Sequence, residues 1–289
     1  MQLKPQVRTV SRRRFLSRGM RWFLSLIGFA VAVGTYGGCI ERFQLDAKKL
    51  TIPLRRLPKA FDGLKIAHFS DLHLGHFFEA ADMAPVIQRI NEWKPDLICF
   101  TGDLVDHSVD SLIAAEPMLA GLQAPLGKFA VLGNHDYRSN EGKIVECLSQ
   151  AGFRVLLNEH QVLEKEGQTF IVAGTDEVLY GTPDIVTALR GTSPDTCKLL
   201  LVHEPDFAED YPGGLIDLQL SGHSHGGQVR LPFIGHVFTP AYGQKYPDGL
   251  KLRKGTEQKV FTTRGIGTTI LPIRFLCRPE VALLTLKAE

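Results

Sequence analysis

Five separate, mostly apolar runs in this chain end in acidic, amide or imidazole side chains, and that repetition limits the fold more than any other feature. Leu64–Ser70 leads into Asp71-Leu72-His73, and Leu97–Thr101 into Gly102-Asp103-Leu104-Val105-Asp106. Phe129–Leu132 leads into Gly133-Asn134-His135-Asp136. Leu199–Val202 leads into His203, and Leu218–Leu220 into Ser221-Gly222-His223-Ser224-His225. Short apolar runs bounded by turn residues read as buried strands. In open α/β sheets, ligands sit beyond the carboxyl ends of the strands. One histidine at a strand end reads as a structural residue, but seven ligand-type groups at five strand ends predict a shared metal site.

The residue types suggest how such a site is built. Residues two apart on an extended chain point to one side, so Asp71 with His73 is expected to clasp one site, and His223 with His225 likewise. Asp103 has two carboxylate oxygens with which to bridge two cations, and Asn134 adds a ligand oxygen without charge. Gly133 is expected to let the chain bend sharply and approach a ligand closely. Taken alone, this tetrapeptide reads equally well as a polar turn. Oxygen and imidazole donors without thiolate suit Mn²⁺, Fe or Zn²⁺.

The 289 residues suffice for one large domain, or for one domain with an appendage. Cys39, Cys99, Cys147, Cys197 and Cys277 form no Cys-x-x-Cys pair, which disfavours a thiolate zinc site or a redox motif. Cys99, inside an apolar run, reads as a small core residue. The net charge of +2 is unevenly spread: Lys4, Arg8, Arg12, Arg13, Arg14, Arg18 and Arg21 give residues 1–40 a charge of +7, leaving −5 for the rest. A mildly acidic body argues against nucleic acid as its partner.

Trp22–Ile40 is a 19-residue stretch without charge, long enough to span a bilayer as a helix. Ser11-Arg12-Arg13-Arg14-Phe15-Leu16 before it resembles the twin-arginine export signal, with Ser17 where Lys often follows. That makes the twin-arginine translocase an expected partner, with a generic basic flank as the alternative. On either reading the positive-inside rule keeps the arginines in the cytoplasm and puts the body outside the membrane. No clean cleavage site follows, so a retained anchor and a cleaved signal both stay open. Residues 41–60, with Pro53 and Pro58, are expected to supply a linker and an edge strand near Phe43–Ile52. From Phe61 on, helices over Ala80–Trp93, Ser111–Leu122, Gly142–Ala151 and Pro183–Arg190 alternate with strands. The Gly- and Pro-rich tail suggests β meanders ending in Val281–Leu286. This order predicts a mixed sheet, or two stacked sheets, flanked by helices.

Together, Asp-x-His, Gly-Asp-x-x-Asp, Gly-Asn-His-Asp, the lone His after an apolar strand and Gly-His-Ser-His resemble the motifs of the calcineurin-like metallophosphoesterase superfamily over residues 61–289. The resemblance implies a four-layer α/β/β/α sandwich of two mixed sheets, with two divalent metal ions in the strand-end loops. Carried over by motif, Asp71, His73, Asp103 and His225 would hold one ion. Asp103, Asn134, His203 and His223 would hold the other, His135 would be the catalytic histidine, and Asp106 the carboxylate that orients it. The implied reaction is hydrolysis of a phosphoester by a water between the ions.

Departures narrow the branch. His107-Ser108 stands where Ser/Thr protein phosphatases have Arg-Gly, and Asp106 where purple acid phosphatases have Tyr. Gly226-Gly227-Gln228-Val229-Arg230-Leu231-Pro232 and Arg264-Gly265-Ile266-Gly267 instead resemble the membrane-associated bacterial branch. That branch includes twin-arginine-exported phosphodiesterases and relatives of UDP-2,3-diacylglucosamine pyrophosphohydrolase. The expected substrate is an envelope or lipid-linked phosphoester. A broad-specificity phosphomonoesterase, a nuclease, and a metal-binding membrane protein without turnover are the alternatives. His76 and His107 read as substrate contacts or as surface histidines, and Arg230, Arg264 and Arg274 as phosphate clamps or as solvated cations. Phe233, Ile234, Phe238, Ile270, Leu271, Ile273 and Phe275 either line the mouth, open to an acyl chain or a membrane, or pack in the second sheet.

Overall fold

The structure, a computed structural model, describes residues 12–289. Of the basic head, Lys4, Arg8 and Ser11, the residue that opens the paired-arginine motif, lie outside the described residues.

Helix α1 (Arg12–Cys39) carries the uncharged stretch. Its 28 residues reach about 42 Å at about 1.5 Å each, against about 30 Å for the hydrocarbon core of a bilayer. Among the described residues it is the one helix long and apolar enough to cross a membrane. Its large apolar side chains from Leu16 to Val31 are exposed, and cover by the body begins only near Val33.

Strand β1 (Asp46–Leu54) lies at a sheet edge as expected, where Pro53 is tolerated. It starts later than the sequence suggests because Glu41–Phe43 closes a 3₁₀ turn. There follow β2 (Lys65–Phe69), α2 (Ala84–Trp93), β3 (Leu97–Thr101), α3 (Leu112–Ala120), β4 (Lys128–Val131), α4 (Asn134–Ser139), α5 (Glu141–Gln150) and β5 (Phe153–Val155). The second half holds β6 (Glu159–Lys165), β7 (Gln168–Gly174), α6 (Ile185–Ala188), β8 (Cys197–Leu201) and β9 (Leu218–Ser221). The chain ends with the short hairpin β10 (Arg230–Leu231) and β11 (Gly235–His236), then β12 (Gly249–Leu252), β13 (Lys259–Thr262) and β14 (Glu280–Ala288).

Two expectations shift here. Ala80–Met83 is a separate 3₁₀ turn, and α2 starts only at Ala84. Pro85 explains the break: it lacks an N–H and its ring clashes with the preceding turn unless it stands in the first turn of the helix. The tail is not a meander either. β13 pairs in parallel with β9, and β14 crosses to the other sheet and inserts between β1 and β2. β14 is apolar on both faces, which suits a strand buried inside a sheet rather than one at its edge.

Two six-stranded mixed sheets result, ordered β1-β14-β2-β3-β4-β5 and β12-β13-β9-β8-β7-β6. Period-two alternation assigns their faces. Leu97, Cys99, Phe129 and Val131 meet Val172, Leu199, Leu201 and Leu220 between the sheets. Ile98, Phe100, Ala130 and Leu132 face the other way and pack against α2, α3 and α5 through Val86, Ile90, Leu119, Ile144 and Leu148. Ile171, Leu200 and Val202 pack outward against α6 and the Phe207 turn. The layers are therefore helix, sheet, sheet, helix. Truncating a central residue such as Leu199 to Ala would cost about 2–5 kcal/mol.

Candidate metal centre

β2 ends in Asp71 and His73, β3 in Asp103 and Asp106, β8 in His203, and β9 in His223 and His225. β4 runs through Gly133 into α4, which opens on Asn134 and His135. β2, β3 and β4 are parallel in one sheet and β8 and β9 in the other, so within each sheet these ends share one edge.

Alternation along an extended chain is not how the ligand pairs are presented. Asp71 (φ 56°), His73 (φ 47°), Asp103 (φ 57°), His223 (φ 65°) and His225 (φ 51°) all have left-handed backbone. That conformation costs a non-glycine residue about 1–2 kcal/mol. Long-range hydrogen bonds hold it: Asp71 N donates to Gly102 O (2.9 Å), and Leu72 N and His73 N both donate to Asp103 O (2.8 and 3.1 Å). Gly133 is not the sharp bend expected, since its backbone is extended (φ −112°, ψ 176°). Its smallness serves close approach, because a Cβ there would collide with Asp103 Oδ1. Asp136 closes the arrangement. Its carboxylate accepts from the backbone N–H groups of Asp103 (2.9 Å), Leu104 (2.8 Å) and Gly133 (3.0 Å), locking the second motif to the third.

The ligand-type atoms converge in two halves. In one, His73 Nε2 lies 3.0 Å from His225 Nε2, and Asp71 Oδ1 lies 3.4 Å from the same nitrogen. In the other, Asn134 Oδ1 lies 3.0 Å from His223 Nδ1, and the His203 and His223 rings are 4.9 Å apart. Asp103 stands between them, with Oδ2 3.5 Å from His73 Nε2 and 3.2 Å from His203 Nε2. His223 and His225 therefore part company, contrary to the expectation that they clasp one site. The left-handed turns at these residues replace the strand geometry on which that expectation rested.

The outer ring nitrogens are already engaged. His73 Nδ1 donates to Asp106 Oδ1 (2.9 Å), His203 Nδ1 to Thr101 O (2.6 Å) and His223 Nε2 to Ala241 O (2.8 Å). These bonds fix the tautomers and turn a lone pair of each ring inward. His203 Nε2 is buried and faces the Asp103 carboxylate at 3.2 Å. Asp71, His73 and His225 offer ligand atoms close enough to one another to hold one ion.

The electrostatics fit a cation as well. Burial opposes charge on His203, yet Asp103, Glu204 and Asp71 raise its pKa well above the usual imidazole value. Buried carboxylates there call for positive charge, which divalent ions would supply. Burial also opposes ionisation of Asp103, but His203 and His73 hold its carboxyl well below the usual range. Burial and the charge on His203 push His223 down to about 3, leaving the neutral imidazole that metal ligation requires. Oxygen and nitrogen donors with no sulfur among them, tied from behind by hydrogen bonds, suit divalent metal ions.

His135 sits above this floor. Its N–H donates to Asp103 Oδ1 (2.8 Å), and its Nδ1 lies 2.9 Å from Asp106 O and 3.1 Å from Asp106 Oδ1. Asp106 does more than the motif suggests: it holds His73 and His135 on Oδ1, and His76 (3.4 Å) and His107 (2.9 Å) approach Oδ2. Burial works against charging His135, but the hydrogen bond to Asp106 and the nearby Asp103 prevail and raise its pKa.

A cavity of about 710 Å³ opens over these residues. His76, His107, His135 and Arg138 line it together with Val237, Phe238, Ile270 and Leu271. The three arginines considered as phosphate clamps are committed elsewhere. Arg230 pairs with Asp248 (2.8 Å), Arg264 with Asp46 (2.6 Å) and Glu280 (2.8 Å), and buried Arg274 donates to Gly267 O and Arg264 O. Sequence reasoning missed Arg138, an exposed cation on α4 whose guanidinium lies 5.9 Å from the Tyr180 ring. Its signal was its place one helical turn after Asn134. Sequence reasoning also missed Glu204, grouped with His203 and His223 and held well above the carboxylate range by burial and its hydrogen bond to Glu177. Phe233, Ile234, Phe238, Ile270 and Leu271 are exposed rather than packed in the second sheet, while Ile273 and Phe275 are half-buried.

Comparison with known proteins agrees with this geometry. The sequence profile of the family described as calcineurin-like phosphoesterase matches residues 64–227. The uncharacterized metallophosphoesterase YkuE of Bacillus subtilis is 40% identical over 98% of this chain and 99% of its own. The phosphodiesterase YaeI of Escherichia coli is 35% identical over 77% of this chain and 82% of its own. The UDP-2,3-diacylglucosamine pyrophosphatase LpxG of Chlamydia muridarum is 30% identical over 82% and 88% respectively. The chain belongs to the calcineurin-like metallophosphoesterases, a family of hydrolases that use divalent metal ions.

Proposed function

We propose that this chain is a two-metal phosphodiesterase or pyrophosphohydrolase, held at the membrane by residues 1–40 and acting there on a lipid-linked phosphoester. The observation that carries the catalytic part is the inward convergence of His73, His225, Asn134, His223 and His203 around Asp103, directly beneath His135. Asp71, His73, Asp103 and His225 hold one ion; Asp103, Asn134, His203 and His223 hold the second. Bound there, the two ions supply charge that polarises a phosphoryl oxygen and lowers the pKa of a water.

The remaining steps belong to the chain's own side chains. His135, held by Asp106, gives a proton to the leaving oxygen or stabilises its charge. Arg138 is the cavity-lining arginine without a carboxylate partner among the described residues, and it takes a second anionic group of the substrate. The apolar lining beside it accommodates an acyl chain, which fits the diacylated substrate after which the LpxG relative is named. The span α1 and the basic head support a catalytic body on the extracytoplasmic side. The −5 charge of the body weighs against nucleic acid.

Two measurements test this reading. Metal-loaded protein is given bis-p-nitrophenyl phosphate with Mn²⁺, and absence of turnover by folded protein would remove the hydrolase role. A panel then compares a lipid-linked sugar nucleotide, a glycerophosphodiester, a cyclic nucleotide, single-stranded DNA and a phosphopeptide, with and without lipid vesicles. Preference for DNA or phosphopeptide, indifferent to vesicles, would overturn the substrate class and leave the metal chemistry standing.

A further inference from the structure

The last turns of α1 meet the loop that forms the cavity rim. Gly37 packs against Ile273 and Arg274, its carbonyl accepts from Arg274 N (3.2 Å), and the Tyr36 ring stands edge-on to Phe275 at 6.3 Å. A side chain at Gly37 would collide with Ile273 and Arg274 O, so the contact is close. Upstream in the same loop, Ile270 is 75% exposed and Leu271 57%. Beside that loop, the β10–β11 hairpin carries Phe233 and Ile234 at its tip, Phe233 with its whole side chain in solvent. Gln228 ties the two parts together: its Nε2 donates to Thr269 O (3.0 Å) and Leu271 O (2.9 Å), and its Oε1 accepts from Thr269 N (2.9 Å).

Two features distinguish this patch from scattered surface apolars. Neither 231–243 nor 265–273 contains an Asp, Glu, Lys or Arg. Phe233 (φ 66°) and Ile270 (φ 62°) hold left-handed backbone, an unusual state for an aromatic and a β-branched residue. Strain spent to keep large apolar side chains in solvent points to something that covers them.

From this geometry we infer that the rim, the hairpin tip Phe233-Ile234 together with Ile270 and Leu271, is a second membrane-contact element that sits in the same leaflet face from which α1 emerges. The inference rests on the reading of α1 as a membrane span. A helix that crosses a bilayer and leaves it near Gly37 brings the adjoining 269–273 loop to the level of the headgroups. Uncharged loops bearing Phe, Ile and Leu insert at that depth. The cavity mouth then opens onto the leaflet, and an acyl-bearing phosphoester enters from the bilayer without passing through water.

The test uses the full chain in lipid nanodiscs. In a Cys39→Ser background, an environment-sensitive fluorophore is placed at Phe233→Cys, with Glu166→Cys at the β6–β7 turn as a control site. Blue-shifted emission quenched by lipids with shallow acyl-chain quenchers at position 233, but not at 166, is the expected result. Emission as in water at both sites overturns the proposal. So does a blue shift at 233 that depends on protein concentration and resists lipid quenchers, because a second copy of the chain would then cover the hairpin. Phe233→Asp with Ile234→Asp keeps bis-p-nitrophenyl phosphate turnover, since neither residue lines the cavity, and lowers turnover of a lipid-linked substrate in vesicles by about tenfold. Label in the bilayer without lipid-substrate turnover would refute the proposed substrate and leave the membrane surface standing; a wet label with normal lipid-substrate turnover would do the reverse.

Discussion

The floor of the cavity and its rim both rely on left-handed backbone at residues other than glycine, and they use it in opposite ways. In the floor, Asp71, His73, Asp103, His223 and His225 are buried, and their backbone and outer ring atoms are tied by hydrogen bonds from several loops. In the rim, Phe233 and Ile270 hold the same conformation at the surface, with apolar side chains turned outward. The floor orders polar donors where water is excluded, so each donor gains strength from the low local dielectric. The rim offers apolar area that nothing among the described residues covers. On the proposed reading, the floor carries the chemistry, and the choice of substrate and surface falls to the rim. The two meet at Gln228, which follows the metal-type histidines and hydrogen-bonds to the rim loop.

If the floor alone carries catalysis, its central carboxylate should matter most. Asp103→Asn is expected to reduce bound metal sharply and to bring hydrolysis near background, read by elemental analysis beside an activity assay. Full metal content in that variant would break the assignment of Asp103 as the shared ligand. His135→Ala should lower kcat by about 10²–10⁴-fold with the metal content unchanged; metal loss would instead place His135 among the ligands. Asp106→Asn should cost about 10–100-fold, and because Asp106 also holds His73, it should weaken metal affinity where His135→Ala does not.

The link between the regions is open to a gentler test. Gln228→Ala removes the acceptor of Thr269 N, so exchange of that amide should accelerate about tenfold, corresponding to a hydrogen bond of about 1–1.5 kcal/mol. Unchanged exchange at Thr269 would show that the rim loop stands without the floor. Gly222→Ala sharpens the contrast from the other side. A Cβ there would collide with Ser70 Oγ and Asp71 Oδ2, at a cost of about 1–3 kcal/mol, and melting should fall by several degrees in thermal unfolding.

Much of the molecule was legible in the chain before any fold was known. The apolar runs at β2, β3, β4, β8 and β9 gave the strands, since strands buried on both faces are continuous in apolar character. Their polar ends gave the candidate ligands, because residue type alone limits what can hold a divalent ion. The short helix α4 escaped notice: six residues opening on Asn-His-Asp have no apolar periodicity to announce them. The order of the tail strands escaped as well, because parallel pairing of β13 with β9 is a long-range choice without a local signature.

The sequence by itself determined the chemistry: oxygen and imidazole donors at strand ends, His135 and Asp106 beside them, and an uncharged stretch long enough to cross a bilayer. The family resemblance already implied how the donors divide, whereas spacing alone put His223 with His225, and the tertiary structure supplies the physical reason for their separation. His223 and His225 are two residues apart, yet they face different halves because left-handed turns, held by contacts to Asp71 and Ala241, set their directions. The tertiary structure also decided which cavity-lining arginine lacks a carboxylate partner among the described residues, since Arg230 pairs with Asp248, Arg264 with Glu280 and Arg274 donates to Gly267 O, while Arg138 lies beside the Tyr180 ring. The apolar tail residues read the same whether they fill a core or face a membrane, because hydrophobicity states only a preference to leave water. Where the loops land determines what receives them, and here Phe233 and Ile270 stand exposed beside the cavity mouth and the end of α1.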